Sequence, residues 1–154
     1  MSLRPLIHAT LATVLATAAT LSLAQTKVED PWVRGTVAGQ MATGAFLTLT
    51  SSVGGKLVAA SSPAAGRVEI HEMSMAGDVM KMRELASGLP LPAGKPVKLT
   101  PGGYHLMLME LKKPLAAGEV VPLALVIEGK DGQRSTQEVK ATVRALADAG
   151  HKKH

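Results

Sequence analysis

From residue 45 onward the chain runs in short stretches of alternating apolar and polar positions, broken by Gly, Pro, Asp and Ser. Ala45–Thr50 (AFLTLT) alternates and stops at the turn-like Ser51-Ser52-Val53-Gly54-Gly55. Runs over 56–60, 67–73, 79–85, 97–99, 104–111 and 121–128 follow, most of them bounded by Gly, Pro or Asp, as strands usually are. In the last run, 133–144, Val139, Ala141 and Val143 share one face. No window carries the 3.6-residue apolar repeat of a long amphipathic helix. Short strands at this spacing predict a single all-β domain, an antiparallel sandwich or barrel, over residues 25–146. No internal repeat divides it.

The two ends follow other patterns. Arg4 precedes an apolar, small-residue run from Ala9 to Leu21, and Ser22-Leu23-Ala24 supplies the small residues a signal peptidase needs. Residues 1–24 therefore read as a cleaved secretory leader, so the rest of the chain is expected to be exported without stable membrane insertion. The run is too rich in Ala and Thr to span comfortably, since a span takes about 20 apolar residues. No Cys follows it, so lipid attachment at a new N-terminal Cys is not expected. Residues 147–154 read as a disordered tail containing His151 and His154 among lysines.

Composition narrows the chemistry. The net charge of +5 is modest, its cations are scattered, and the aromatics are only Trp32, Phe46 and Tyr104; nucleic-acid binding has no support. The chain has no cysteine, which removes thiolate catalysis, Fe–S clusters and blue-copper electron transfer. Methionine is the opposite case: of eight, six lie between Met73 and Met109. Met41 alone stands apart in the β-region and reads as packing, as a single Met usually does.

Strand periodicity gives those methionines company. In Arg67–Met73, Val68 and Ile70 face one way while His71 and Met73 face the other. Met80 and Met82 share a face of the next run, and Gly77-Asp78 between the two runs suits a hairpin turn. In Tyr104–Met109, His105, Met107 and Met109 share a face. Three segments can thus each present imidazole or thioether from one side. Thioether is a soft, neutral donor suited to Cu(I), imidazole is borderline, and hard ions want oxygen. On spacing alone, a soft-metal site and a Met-rich core remain open alternatives.

The chain resembles the periplasmic copper chaperone family called PCu(A)C. The resemblance is carried by His71-Glu72-Met73-Ser74-Met75, Val79-Met80-Lys81-Met82-Arg83, Leu89-Pro90-Leu91-Pro92-Ala93-Gly94-Lys95, Pro101–Met109 and Leu111-Lys112-Lys113-Pro114-Leu115. Upstream, Asp30-Pro31-Trp32-Val33-Arg34 and Thr43-Gly44-Ala45-Phe46 are similar to that family's first strands. The family pattern is a His, a Met eleven residues later, and a distant His-x-Met; here it falls on His71, Met82, His105 and Met107. The resemblance implies a cupredoxin-like β-fold holding Cu(I) through those four side chains. It also implies delivery to the Cu(A) subunit of cytochrome c oxidase or a related acceptor, alongside a Sco-type thiol protein. Met73, Met80 and Met109 become supporting candidates, Met73 being the first alternative ligand. Family members often end in a longer His- and Met-rich extension that takes Cu(II). This tail offers only His151 and His154 for an auxiliary Cu(II) site, beside Lys152 and Lys153, which repel a cation; a disordered polar tail is the alternative.

Three other readings are weighed against a chaperone. An enzyme is not expected: a histidine brace needs an N-terminal His where the leader's removal gives Gln25, and no Gly-x-Ser-x-Gly elbow is present. A copper storage or tolerance protein would share the site but not the acceptor. A structural β-module with a Met-rich core predicts His and Met side chains buried apart from one another.

Overall fold

The structure, a computed structural model, describes residues 25–146; the expected leader and the tail, with His151 and His154, lie outside them. Ten strands and no helix follow one another among the described residues. They are β1 (Thr26–Arg34), β2 (Ala42–Ser51), β3 (Gly55–Ser61), β4 (Ala65–Ala76), β5 (Val79–Glu84), β6 (Leu89–Leu91), β7 (Pro96–Leu99), β8 (Tyr104–Leu111), β9 (Val120–Glu128) and β10 (Arg134–Arg144). Their order across one sheet is β5-β4-β8-β7-β2-β1-β10-β9-β3-β6, with β8 also bonded to β2.

The consecutive strands β1–β2, β4–β5 and β9–β10 pair antiparallel, as their short connections allow, and most of the other pairings are antiparallel too. Two are not. β7 and β8 lie in succession along β2 and each runs against it, so they run parallel where they meet at Leu99 and Tyr104. β1 and β10, the first and last strands, meet in parallel through Trp32–Arg34 and Thr142–Arg144.

The alternation seen in the sequence is the alternation of burial. Val121, Leu123, Leu125 and Ile127 of β9 point inward, as do Val139, Ala141 and Val143 of β10. With Val33, Leu47, Leu49, Leu57, Ile70, Leu89, Leu106 and Leu108 they belong to one continuous core. Every strand but β5 contributes to it. For the inner faces of so many strands to share one core, the sheet has to curl over on itself into two layers. β5 is exposed along its whole length and is held by its ladder to β4.

Two strands escape the pattern for physical reasons. β1 is interrupted by a register shift between Glu29 and Trp32, where Asp30 takes a φ of 50° ahead of Pro31. A bulge of this kind breaks the period-two pattern that would mark a strand. β6 is a three-residue strand with Pro90 at its centre, tolerated because β6 is the last strand of the sheet.

The methionines depart from one expectation. Met41 is not packing: it sits just before β2 and is 60% exposed. No methionine belongs to the core of the described residues, which leucine dominates.

Candidate metal centre

Three neighbouring strands, β5, β4 and β8, bring the imidazoles and thioethers to one face. The β4–β5 turn is the two-residue Gly77-Asp78, with Gly77 at φ 64° and Asp78 at negative φ. A glycine at the first central position with positive φ is the II′ arrangement that suits the twist of a hairpin. It sets Met73 opposite Met82 and Met75 opposite Met80. On the other side of β4, His71 stands directly opposite His105, Glu69 opposite Met107 and Arg67 opposite Met109. Directly opposed residues share a face, so the whole set lies on the side of the sheet away from Ile70, Leu106 and Leu108.

Within that set the structure draws three side chains together. The rings of His71 and His105 are edge-to-face with centroids 5.6 Å apart. His105 Nε2 lies 3.1 Å from the Met82 sulfur. Met107 is half-buried one same-face position beyond His105, and Met73 half-buried beside Met82. Met109 lies farther along β8, its sulfur 3.6 Å from the Arg67 guanidinium. Met80 is 48% exposed toward the hairpin tip.

The two histidines are buried, at 9% and 6% exposure, whereas Met82 is 48% exposed. The centre is therefore closed by imidazoles below and by a thioether at the surface. Its floor continues sideways: the Phe46 ring lies 6.4 Å from His105, and Trp32 is 4.5 Å beyond Phe46. Both aromatics are buried but stand outside the main core. Arg34 stacks 5.5 Å above Phe46 and Arg144 4.9 Å above Trp32, a capping by cations that aromatic faces favour. Gly44 makes room for this floor, because a Cβ there would fall 2.8 Å from the Phe46 ring.

The hydrogen bonds fix which nitrogen of His105 is free. Its Nδ1 lies 3.2 Å from the Gly103 carbonyl, which also accepts the Met73 N–H at 3.1 Å. A carbonyl accepts only, so Nδ1 carries the proton and Nε2 presents a lone pair. That lone pair faces the sulfur of Met82, which has no proton to donate. Two lone pairs facing one another at 3.1 Å have no attractive hydrogen bond between them. They are placed as two ligands of one ion would be: with metal–N about 2.0 Å and metal–S about 2.3 Å in a tetrahedral d¹⁰ site, the donors sit roughly 3.5 Å apart. His71 adds a second free donor, since its Nδ1 is buried with no hydrogen-bond partner. Among the described residues no three His, Cys, Asp or Glu side chains are grouped to hold a metal. Any ion seated here therefore draws on thioether sulfur, and the residues fit a soft one.

The His105 pKa lies below the ordinary 6.5, first through desolvation by burial and then through the nearby His71 and Arg34, against the opposing Gly103 hydrogen bond. The ring is neutral at neutral pH and ready to ligate. The sign of the linkage follows. The unfolded chain takes up this proton more readily than the folded one, so stability is full above 6.5 and falls as the pH drops through that value toward the lower folded pKa. The urea midpoint of metal-free protein is expected to fall more between pH 7 and pH 5 than that of His105→Gln, and equal falls would contradict it.

Sequence reasoning missed Glu69, whose carboxylate is 2.7 Å from His71 Nε2. Its position two residues before His71 on the same strand was the available signal. It also missed Trp32 and Phe46 as neighbours of the centre, which no local spacing could reveal.

Fold and face together define a cupredoxin-like β-domain with an imidazole–thioether centre. A family model described as "Putative lipoprotein LpqE-like" matches residues 26–143. "Putative lipoprotein Lxx21020" of Leifsonia xyli subsp. xyli (strain CTCB07) is 35% identical over 123 residues, 80% of this chain and 72% of that protein. Among solved structures, CuI-DR1885 from Deinococcus radiodurans is 32% identical with a TM-score of 0.54, covering 82% of this chain and 83% of that one. The copper-bound PCuAC domain from PmoF2 is 22% identical with a TM-score of 0.61, covering 79% of this chain and 93% of that one, a likeness of fold. The chain belongs to the LpqE-like family, a PCu(A)C family.

Proposed function

We propose that this protein is an exported Cu(I) chaperone whose cargo is held by His71, Met82, His105 and Met107. The observation that carries the reading is the facing pair of lone pairs on His105 Nε2 and Met82 sulfur, 3.1 Å apart, with the His71 ring edge-to-face to that of His105 and its buried Nδ1 unpartnered. The copper named in the descriptions of structural relatives supports the choice of ion. A Met-rich core does not explain the centre, because among the described residues the core contains no methionine, and the imidazoles and Met82 converge.

Delivery suits this geometry better than storage. Neutral thioethers hold Cu(I) without adding charge, and a half-exposed Met82 is a ligand that an acceptor's donor can replace first. The acceptor we propose is the Cu(A) subunit of cytochrome c oxidase or a related cuproprotein in the periplasm, with a Sco-type thiol protein as companion. The family's description as a lipoprotein supports export.

Anaerobic Cu(I) titration against a competing chelator tests the site. Met82→Leu and Met107→Leu are each expected to lower affinity by about tenfold or more, and unchanged affinity in both would remove the assignment. Deleting the gene should lower copper-dependent oxidase activity under copper limitation. Normal activity there would rule out the delivery role while leaving the site standing.

A further inference from the structure

Among the described residues, Glu69 is the one acidic side chain in hydrogen-bond contact with either buried histidine of the centre. Its carboxylate is gripped at both oxygens: Oε1 accepts from Arg67 Nε at 3.0 Å, and Oε2 lies 2.7 Å from His71 Nε2. The carboxylate side chain is only 19% exposed and that of His71 11%, so solvent competes little for this contact. Arg67 is fixed in turn on the same face by the Met109 sulfur, 3.6 Å away.

A carboxylate held by a guanidinium is an acceptor, so His71 donates to it from Nε2, and a ring with that single proton keeps its lone pair on Nδ1. Nδ1 is the buried atom that has no partner. His105 is arranged the other way round, its Nδ1 donating to the Gly103 carbonyl and its Nε2 facing Met82. We infer that Glu69 is a positioning residue that locks His71 in the Nε2–H tautomer so that it ligates through Nδ1, while His105, locked by Gly103, ligates through Nε2. This rests on the proposed Cu(I) centre and adds to it which atom each histidine offers and what holds it there.

The physical benefit is pre-organisation. A neutral imidazole free to choose its tautomer presents the wrong nitrogen part of the time, and a ring free to turn loses freedom on ligation. A carboxylate behind a ligating histidine removes both losses and makes the ring a better donor. Glu69 does this from the adjacent same-face position of β4, opposite Met107.

The test separates tautomer from affinity. Histidine ¹⁵N shifts in the metal-free protein at pH 8 are expected to show His71 protonated at Nε2 and His105 protonated at Nδ1. Glu69→Ala should let the His71 shifts move toward tautomer averaging and lower Cu(I) affinity roughly 10–100-fold, with His105 unmoved. Glu69→Gln, which keeps an acceptor oxygen, should hold the tautomer and restore most of the affinity; a circular-dichroism melt of each variant verifies the fold. If wild-type His71 carries its proton on Nδ1, or Glu69→Ala binds Cu(I) as wild type does, the inference falls and the chaperone reading survives. A wild-type chain that takes up no Cu(I) overturns both.

Discussion

His105→Leu is expected to weaken Cu(I) binding by more than about 100-fold, the largest single loss at the centre. Three features of the site make it so. His105 is the ring in direct contact with Met82, it stands edge-to-face with His71, and its free Nε2 is fixed by the Gly103 carbonyl. Leucine fills a similar volume beside Phe46, so the metal-free fold should persist. The readout is a thermal melt with and without Cu(I). A ligand bound only by the folded state stabilises it by about 2.7 kcal/mol when present at 100 times its Kd, and His105→Leu should abolish that rise. Met80→Leu is the control: it lies on the same face but toward the tip, opposite Met75, and should change affinity by no more than a few-fold. A variant lacking His105 that still gained copper-dependent stability would place the ion elsewhere.

How far this centre could be read from the sequence depends on the distance over which each clue acts. Period-two alternation is local, so the shared face of His71 with Met73 and of His105 with Met107 was legible in the residues themselves. So was the Gly77-Asp78 turn, which fixes the register of β5 on β4 without reference to anything else. The placement of His71 opposite His105 is a different matter. It depends on the antiparallel register of β4 and β8 across the 27 residues between them, which include β5, β6 and β7. Only the resemblance to a known family supplied that pairing in advance. Alternation alone left Met80 and Met82 equivalent, and the fold separates them by distance from His105.

What stayed hidden was hidden for similar reasons. Trp32 and Phe46 reach the centre because β2 lies beside both β8 and β1, and β1 carries a bulge that erases its alternation. β5 looked like any other strand, yet it buries nothing in the core and every one of its residues is exposed. A strand of that kind contributes little to stability and can be kept for what it carries, here Met82. The Met41 expectation failed because a single methionine in a β-rich chain reads as filler, while the core had enough leucine to close without it.

The second large effect concerns stability and lies one residue from the first. Leu106 sits between His105 and Met107 in β8, is fully buried, and points to the opposite face of the sheet. It belongs to the core, in the part bounded by β4 and β2, where it stands opposite Ile70 and Ala45. Leu106→Ala is expected to cost about 2–5 kcal/mol, the transfer free energy of the lost carbons plus the cavity they leave. For a domain of this size that is a fall in melting temperature of roughly 10 °C or more. Below that lower melting temperature the variant should still bind Cu(I) within a few-fold of wild type, because the donors on the other face keep their register. Met107→Leu should do the reverse, losing copper affinity while its melt without metal hardly moves. Should Leu106→Ala and Met107→Leu lower stability alike, the two faces of β8 would not be divided between core and centre, and the site as assigned here would be part of the packing.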